Sequence, residues 1–200
     1  MMEVLLFILI SYLLGSIPFG LIIASVNKID IRSHGSGNIG ATNVYRVIGK
    51  FWGLLTFFLD AMKGFLPAYY FLNFYGNYQH LGVCCGLAAI LGHTFPIYIK
   101  FRGGKGVATS AGMLFGIAPL PVFIGLLVWI IIMFLFRFVS LASITASVVI
   151  SVIICFSDAY SIFTKYLITI ISILIIWLHR ENISRLIKGT ENRFGKKGLK

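Results

Sequence analysis

Long apolar runs separated by short polar segments make up most of the chain. A membrane-spanning α-helix needs about 20 apolar residues, and most of the runs approach that length. Charged residues are only 12% of the chain, and the mean hydropathy is +0.95. The sequence therefore predicts an all-α, polytopic integral membrane protein that forms one domain over residues 1–200. The pattern predicts seven spans, at residues 4–26, 51–74, 81–99, 107–119, 121–136, 141–156 and 161–178.

Prolines interrupt two of these runs. Pro18 lies in the segment 15–20 of the first run, where the missing N–H predicts a kink or tight packing. The run 107–136 is too long for one straight span, because a hydrocarbon core is about 30 Å thick. We therefore predict two short helices that turn at Pro119 and Pro121.

The distribution of cations predicts the orientation of the spans. Of the 17 lysines and arginines, 15 fall in four segments that seven spans place on one side. These segments are residues 27–50, residues 100–105, the turn at Arg137 and the tail 179–200. Cytoplasmic loops carry an excess of Lys and Arg. We therefore predict an outside N-terminus, a cytoplasmic C-terminus and three polar segments on the cytoplasmic face.

The formal net charge of +11 indicates anionic partners. Because the basic residues lie in short loops beside apolar spans, membrane lipid and phosphorylated small molecules suit them, and nucleic acid is not an expected partner. The three cysteines show neither metal-ligand spacing nor a disulfide framework, so no metal site is predicted.

The first candidate site is the glycine loop, residues 101–106, with sequence FRGGKG. Consecutive N–H groups in a glycine turn form a concave anion site, and Lys105 adds a point charge. Gly106 and Val107 follow that lysine, so the segment is not a Walker A motif and does not indicate nucleotide hydrolysis. The alternative is a flexible basic turn between two helices. We interpret His93, just upstream, as a packed structural histidine.

The second candidate is the first polar loop, residues 35–46, which combines glycines with serine, asparagine, threonine and arginine. Serine and asparagine before a helix accept hydrogen bonds from its free N–H groups, and a helix N-terminus favours an anion. A short helix here places Asn43 and Arg46 on one face. The alternative is a capped interfacial helix whose Arg46 touches lipid headgroups.

The third candidate is the C-terminal segment, residues 179–191. His179, Asn182 and Arg185 recur every three residues, so a continuing helix places them on one arc of about 120°. A basic segment attracted to anionic lipid is the alternative, and it leaves the histidine and the asparagine unexplained.

Asp60 and Lys63 are charges within the second span, where charge is costly. Because they lie three residues apart on a predicted helix, they can pair with each other. A structural ion pair is favoured over a proton relay.

Three parts of the chain resemble the three signature motifs of the bacterial acyl-phosphate:glycerol-3-phosphate acyltransferases (PlsY type). They are residues 35–46, residues 92–96 together with 101–109, and residues 179–191. Residues 15–20 and 139–141 also resemble that family, so the resemblance covers nearly the whole chain. Arg102 stands where lysine is common, which keeps the charge. The resemblance implies seven spans in a bacterial plasma (inner) membrane and an active site at the cytoplasmic face.

The implied reaction moves a fatty acyl group from fatty acyl phosphate to the first hydroxyl of glycerol 3-phosphate. The products are lysophosphatidic acid and inorganic phosphate, in the first acylation step of phospholipid synthesis. No cofactor is implied, and a monomer is expected. Either the substrate phosphate takes the hydroxyl proton or His179 is the general base. A transporter or channel for a phosphorylated metabolite is the main alternative function, and a lipid-binding scaffold is another.

The resemblance also implies roles for individual residues. Ser36 and Arg46 are expected to be essential, with Ser36 a hydrogen-bond donor to phosphate in preference to a nucleophile. The glycine loop is expected to bind glycerol 3-phosphate, and Glu191 to pair with an arginine. The predicted catalytic residues are Ser36, Arg46, Lys105, His179 and Asn182. The predicted substrate- and phosphate-binding residues are Asn38, Thr42, Asn43, Gly103, Gly104, Gly106, Ser143 and Arg185. The predicted structural residues are Glu191, Asp60 and Lys63.

Overall fold

The computed structural model describes residues 2–74 and 80–195. Within them the chain forms ten α-helices, one 3₁₀ turn at Ile97–Ile99 and no strand, which confirms the all-α prediction for this part. Most of the predicted loop 75–80 and the tail cations Lys196, Lys197 and Lys200 lie outside the described residues. The helices are α1 Met2–Gly15, α2 Phe19–Val26, α3 Ala41–Val47, α4 Lys50–Phe74, α5 Leu81–Thr94, α6 Val107–Ile117, α7 Pro119–Phe136, α8 Val139–Phe156, α9 Ile162–Leu178 and α10 Arg180–Ile187.

The helices differ in their ability to cross a membrane. In the described chain, four segments are long and apolar enough to do so, and a fifth results if α9 and α10 are taken as one bent span. Helix α6 is apolar but only 11 residues long. The seven-span count therefore remains a prediction. The four segments are Met2–Val26, Leu81–Ile99, Pro119–Phe136 and Val139–Phe156.

The break within residues 107–136 falls earlier than predicted. Helix α6 ends at Ile117 and α7 begins at Pro119, so both prolines lie in the first turn of α7. The predicted boundaries at residues 119 and 121 each lie two residues, or about half a turn, beyond the observed ones. Proline is accepted at the first helical positions because the N–H it lacks has no intrahelical acceptor there.

The described chain divides into two compact units, of which the first ends at Ile117 and the second begins at Ala118. In the first unit, α4 packs against α3, α5 and α6, and α1 packs against α5. Gly64 and Gly112 allow α4 and α6 to approach closely, because a Cβ at either would overlap a backbone carbonyl of the other helix. This packing fixes the start of α6, which follows the glycine loop.

The predicted irregularity at Pro18 is a complete break between α1 and α2. The buried Lys63 donates from Nζ to the Ile17 carbonyl at this break, at 2.8 Å. Its Nζ also lies 2.8 Å from Asp60 Oδ1, which makes a buried ion pair. The structure thus contains the predicted ion pair, which also stabilises the break.

In the second unit, α8 packs against both α7 and α9. Helix α9 ends at Leu178, and α10 leaves it at an angle of 54°. Helix α10 contacts α8 and α9. The bend separates the apolar α9 from the polar C-terminal segment.

Candidate functional site

Asn43 holds the first polar loop in shape. Its Oδ1 accepts the Ser36 N–H at 2.8 Å, and its Nδ2 donates to the Ile31 carbonyl at 3.2 Å and the His34 carbonyl at 3.0 Å. Both amide hydrogens are therefore used inside the loop, and the side chain is buried. This geometry favours a positioning role for Asn43 over the predicted contact with a ligand.

Ser36 lies exposed beside this anchor. Gly35 and Gly37 flank it with φ of 63° and 69°, the left-handed region that favours glycine. A side chain at position 35 would also collide with the amide oxygen of Asn43. Within the described residues, the Ser36 hydroxyl makes no hydrogen bond. Arg46 follows in the last turn of α3 and is partly buried.

The polar segment 27–50, which contains the first polar loop, contacts the glycine loop within the first unit. Arg32 donates from Nη2 to the Arg102 carbonyl at 2.9 Å. Asn38 is used locally, since its Oδ1 accepts the Gly40 N–H at 2.8 Å. Thr42, in the first turn of α3, is partly exposed. The structure thus brings two of the three predicted polar segments together.

Two N–H groups of the glycine loop are used in hydrogen bonds within the protein. Gly103 donates to the Thr94 carbonyl and Gly104 to the His93 carbonyl, each at 3.1 Å. A Cβ at Gly103 would overlap the His93 carbonyl, and one at Gly104 would overlap the His93 ring. The predicted anion site from consecutive N–H groups was therefore wrong at these two positions, because the glycines serve close packing against residues 93–94.

The groups suited to an anion lie at the end of the loop. Gly106 has φ of 74°, and α6 begins at the next residue. The first N–H groups of an α-helix have no intrahelical acceptor and carry partial positive charge. Lys105 is partly buried directly before this turn. The groups suited to an anion are therefore Lys105 and the backbone N–H groups of the first turn of α6.

In the second unit, the carboxylate of Glu191 gathers three side chains. Its Oε1 accepts from Ser140 Oγ at 2.9 Å and from Asn182 Nδ2 at 2.7 Å, and its Oε2 accepts from Arg185 Nε at 2.7 Å. Burial raises the pKa of Glu191, but the hydrogen bonds from Arg185, Asn182 and Ser140 outweigh it, and the pKa lies below its ordinary value. The arginine pair predicted for Glu191 is present.

The predicted arc of three residues holds only for Asn182 and Arg185. Because α9 and α10 meet at a bend, His179 does not lie on a helix continuous with α10. His179 is buried, and its Nδ1 lies 2.8 Å from the Ile175 carbonyl. Since a carbonyl only accepts, Nδ1 carries the proton in the neutral ring and Nε2 is an acceptor.

Two serines of α8 lie near its start. Ser143, predicted to bind substrate, is buried and accepts a hydrogen bond from Trp129 Nε1 at 3.2 Å. Within the described part of the chain, no group accepts a hydrogen bond from its hydroxyl. Ser140, which sequence reasoning left out of the site residues, contacts Glu191 from 51 positions away in the chain. No local sequence signal connects positions so distant.

Comparison with known proteins identifies relatives over nearly the full length. A family model described as glycerol-3-phosphate acyltransferase matches residues 5–189. The glycerol-3-phosphate acyltransferase of Aquifex aeolicus is 45% identical over 193 residues, which cover 96% of this chain and 100% of that protein. The protein of the same name from Geotalea daltonii is 43% identical over 185 residues, which cover 92% of this chain and 94% of that one.

Two solved structures share the fold. One is the crystal structure of PlsY (YgiH), an integral membrane glycerol 3-phosphate acyltransferase, in its glycerol 3-phosphate form. It matches with a TM-score of 0.92 and 44% identity over 96% of each chain. The lysophosphatidic acid form of that protein matches with a TM-score of 0.89, at the same identity and coverage.

Proposed function

The chain belongs to the glycerol-3-phosphate acyltransferase family, and on that premise we propose that its acyl donor is fatty acyl phosphate. It is an integral membrane acyltransferase of phospholipid biosynthesis. In the proposed reaction, the first hydroxyl oxygen of glycerol 3-phosphate attacks the acyl carbonyl, and the bond from that carbon to the phosphate oxygen breaks. Lysophosphatidic acid and inorganic phosphate result. The observation that carries the acceptor is the match to a structure in its glycerol 3-phosphate form, and the donor is proposed from the resemblance of the sequence motifs.

In the first unit, we assign phosphate binding to Arg46, Lys105 and the first turn of α6. Both substrates carry phosphate, so the reaction needs cations held in fixed positions. The hydrogen bond from Arg32 to the glycine loop and the three hydrogen bonds of Asn43 support a fixed arrangement. Acyl phosphate has a good leaving group, so positioning and charge stabilisation can supply most of the rate.

In the second unit, we assign substrate contacts to Asn182, Arg185, Ser143 and His179. Glu191 orients the first two through its carboxylate oxygens. We propose that the substrate phosphate accepts the hydroxyl proton. The rival base is His179, whose Nε2 is an acceptor while Nδ1 bonds to the Ile175 carbonyl. A His179→Gln variant that keeps its turnover at saturating substrates would exclude the histidine as base.

Replacing Gly104 with alanine is expected to raise the KM for glycerol 3-phosphate about tenfold with little change in kcat. The added Cβ would overlap the His93 ring and displace the loop. Steady-state kinetics at varied glycerol 3-phosphate measure the effect. Gly116→Ala is the control, because its Cβ would meet Tyr69 and Phe65 only at 3.3–3.4 Å. An unchanged KM in the Gly104 variant would argue against the loop as the binding site.

No acyl-enzyme is expected at Ser36. Its hydroxyl has no hydrogen-bonded base among the described residues, and an unactivated serine is a weak nucleophile. Intact-protein mass spectrometry after mixing with acyl phosphate, without glycerol 3-phosphate, is expected to show no added acyl mass. Ser36→Ala, measured in parallel, controls for acylation elsewhere. An acyl adduct that is lost in this variant would contradict direct transfer.

We further propose seven spans, an outside N-terminus and an active site at the cytoplasmic face of a bacterial inner membrane. The predicted spans each coincide with helical segments, and cations lie in the polar segments between them. The proposed reaction needs one chain only, so we expect a monomer. Labelling of single cysteines at residues 36 and 189 should give the same sidedness, and opposite faces would overturn this topology.

Reconstitution separates the enzyme from a transporter. Proteoliposomes are given acyl phosphate and labelled glycerol 3-phosphate. The enzyme forms labelled lysophosphatidic acid without carrying free glycerol 3-phosphate into the lumen. Uptake without lipid product would favour a transporter. The absence of both uptake and lipid product would favour a lipid-binding scaffold. Replacing acyl phosphate with acyl-CoA or acyl carrier protein tests the donor.

A further inference from the structure

A row of buried polar side chains lies behind the glycine loop in the first unit. His93 is 5% exposed, and its Nδ1 lies 3.5 Å from Asp60 Oδ1. Asp60 is in turn paired with Lys63, whose Nζ donates to the Ile17 carbonyl. Charged groups are costly to bury unless they find partners, so these contacts hold the row in a defined arrangement.

His93 contacts the glycine loop through both its backbone and its ring. Its carbonyl accepts the Gly104 N–H at 3.1 Å. Its Nε2 lies against Gly104, in the space that a Cβ at this position would occupy. The imidazole therefore has Asp60 at one nitrogen and Gly104 at the other. Its orientation sets the position of Gly104, and Lys105 follows directly in the chain.

We propose that Asp60 and His93 form a positioning pair that holds the glycine loop, and with it Lys105, in place to bind glycerol 3-phosphate. The proposal rests on the proposed function, because that function assigns this ligand to the loop. His93 is a positioning residue in this account, since it acts through Gly104. A carboxylate beside one ring nitrogen of a histidine fixes the orientation of the imidazole, and so of the other ring nitrogen.

The alternative is a histidine that only fills space at the end of α5. Packing alone contributes to stability and affects both substrates alike. A positioning pair instead affects the substrate that the loop binds, because small displacements of a binding group have large effects on that interaction. The two accounts therefore differ in which kinetic parameter changes.

His93→Asn separates the two ends of the ring. Its amide can occupy the place of Nδ1 near Asp60, but it lacks the atoms that contact Gly104. We expect the KM for glycerol 3-phosphate to rise about tenfold, with the KM for acyl phosphate and the melting temperature close to those of the parent. Calorimetric titration with glycerol 3-phosphate should show the same loss, which separates binding from chemistry.

A double variant tests the contact directly. Gly104→Ala collides with the ring, whereas in the His93→Asn background the methyl group enters the vacated space. The fold increase in KM of the double variant over the parent should therefore be smaller than the product of the fold increases of the two single variants. Thr56→Val is the control, because this buried threonine lies one turn before Asp60 on α4. Among the described residues, its hydroxyl bonds only to the Trp52 carbonyl. It should leave every parameter within about twofold.

Several outcomes overturn the proposal. The first is a His93→Asn variant whose KM for glycerol 3-phosphate stays within about twofold of the parent. The second is an equal rise in KM for both substrates together with a lowered melting temperature. The third is a double variant in which the fold increases in KM of the two single variants simply multiply. If His93→Asn does not fold, two other variants replace it: His93→Gln, and the neutral double variant Asp60→Asn with Lys63→Met. For each of them, a KM for glycerol 3-phosphate within about twofold of the parent overturns the proposal. A parent protein that forms no lysophosphatidic acid contradicts the proposed function. An active parent with unaffected variants contradicts only the positioning pair.

Discussion

Replacing Arg46 with alanine is expected to lower kcat/KM by about three orders of magnitude, or about 4 kcal/mol of transition-state stabilisation. In the proposed reaction, negative charge increases on the departing phosphate as the acyl bond to it breaks, and a fixed guanidinium would stabilise that charge. The position of Arg46 is fixed, because α3 is tied through Asn43 to the loop that carries Ser36. Steady-state kinetics in proteoliposomes measure the loss. Arg46→Lys should recover only part of the activity, since an ammonium lacks the planar fork.

Lys50 provides the matched control for this prediction. It is an exposed cation four residues further along, at the start of α4. Lys50→Ala removes the same charge from the same polar segment, and kcat/KM is expected to stay within about twofold. An Arg46→Ala protein with an unchanged melting temperature and less than about tenfold loss would remove Arg46 from the catalytic residues.

The helices could be predicted from the sequence because their signal is local. Apolar runs of sufficient length indicate where the chain is helical, and Pro18 indicates where the first helix is interrupted. The start of α7 shows the limit of that signal, because Pro119 and Pro121 were read as a turn and instead begin a helix. A proline breaks a helix at its interior and suits its first turn, and the sequence alone does not say which applies.

The sequence predicted which segments form the site, but several residues within those segments have other contacts than the predicted ones. The polar segment 27–50 and the glycine loop do meet, as the hydrogen bond from Arg32 to the Arg102 carbonyl shows. Gly103 and Gly104, however, give their N–H groups to residues 93–94. Such bonds depend on how distant segments pack, so composition indicates a phosphate loop but cannot indicate which of its groups are free to bind. His93 was interpreted as packing only, because nothing in the sequence places Asp60 beside it.

Replacing Glu191 with glutamine is expected to destabilise the protein by about 3 kcal/mol, because all three of its partners donate. The amide nitrogen of glutamine would face a donor at one of the two oxygen positions. The Glu191 side chain is 6% exposed and that of Arg185 is 33% exposed, so the loss should fall at the lower end for a buried pair. Thermal unfolding in detergent should show a melting temperature lower by about 6–12 °C.

Glu181 is the matched control, since it lies 4.0 Å from the same arginine but its side chain is 73% exposed. Glu181→Gln should change stability by less than about 0.5 kcal/mol. The pH dependence gives a second test. Because the folded pKa of Glu191 is lowered, its stabilisation is complete above the pKa of an unfolded glutamate, about 4.3, and is lost as pH falls through the folded value. The difference in melting temperature between the parent and Glu191→Gln should therefore narrow below about pH 4. A difference that stays constant on acidification would mean that the stability lost in Glu191→Gln does not come from the charge of the carboxylate.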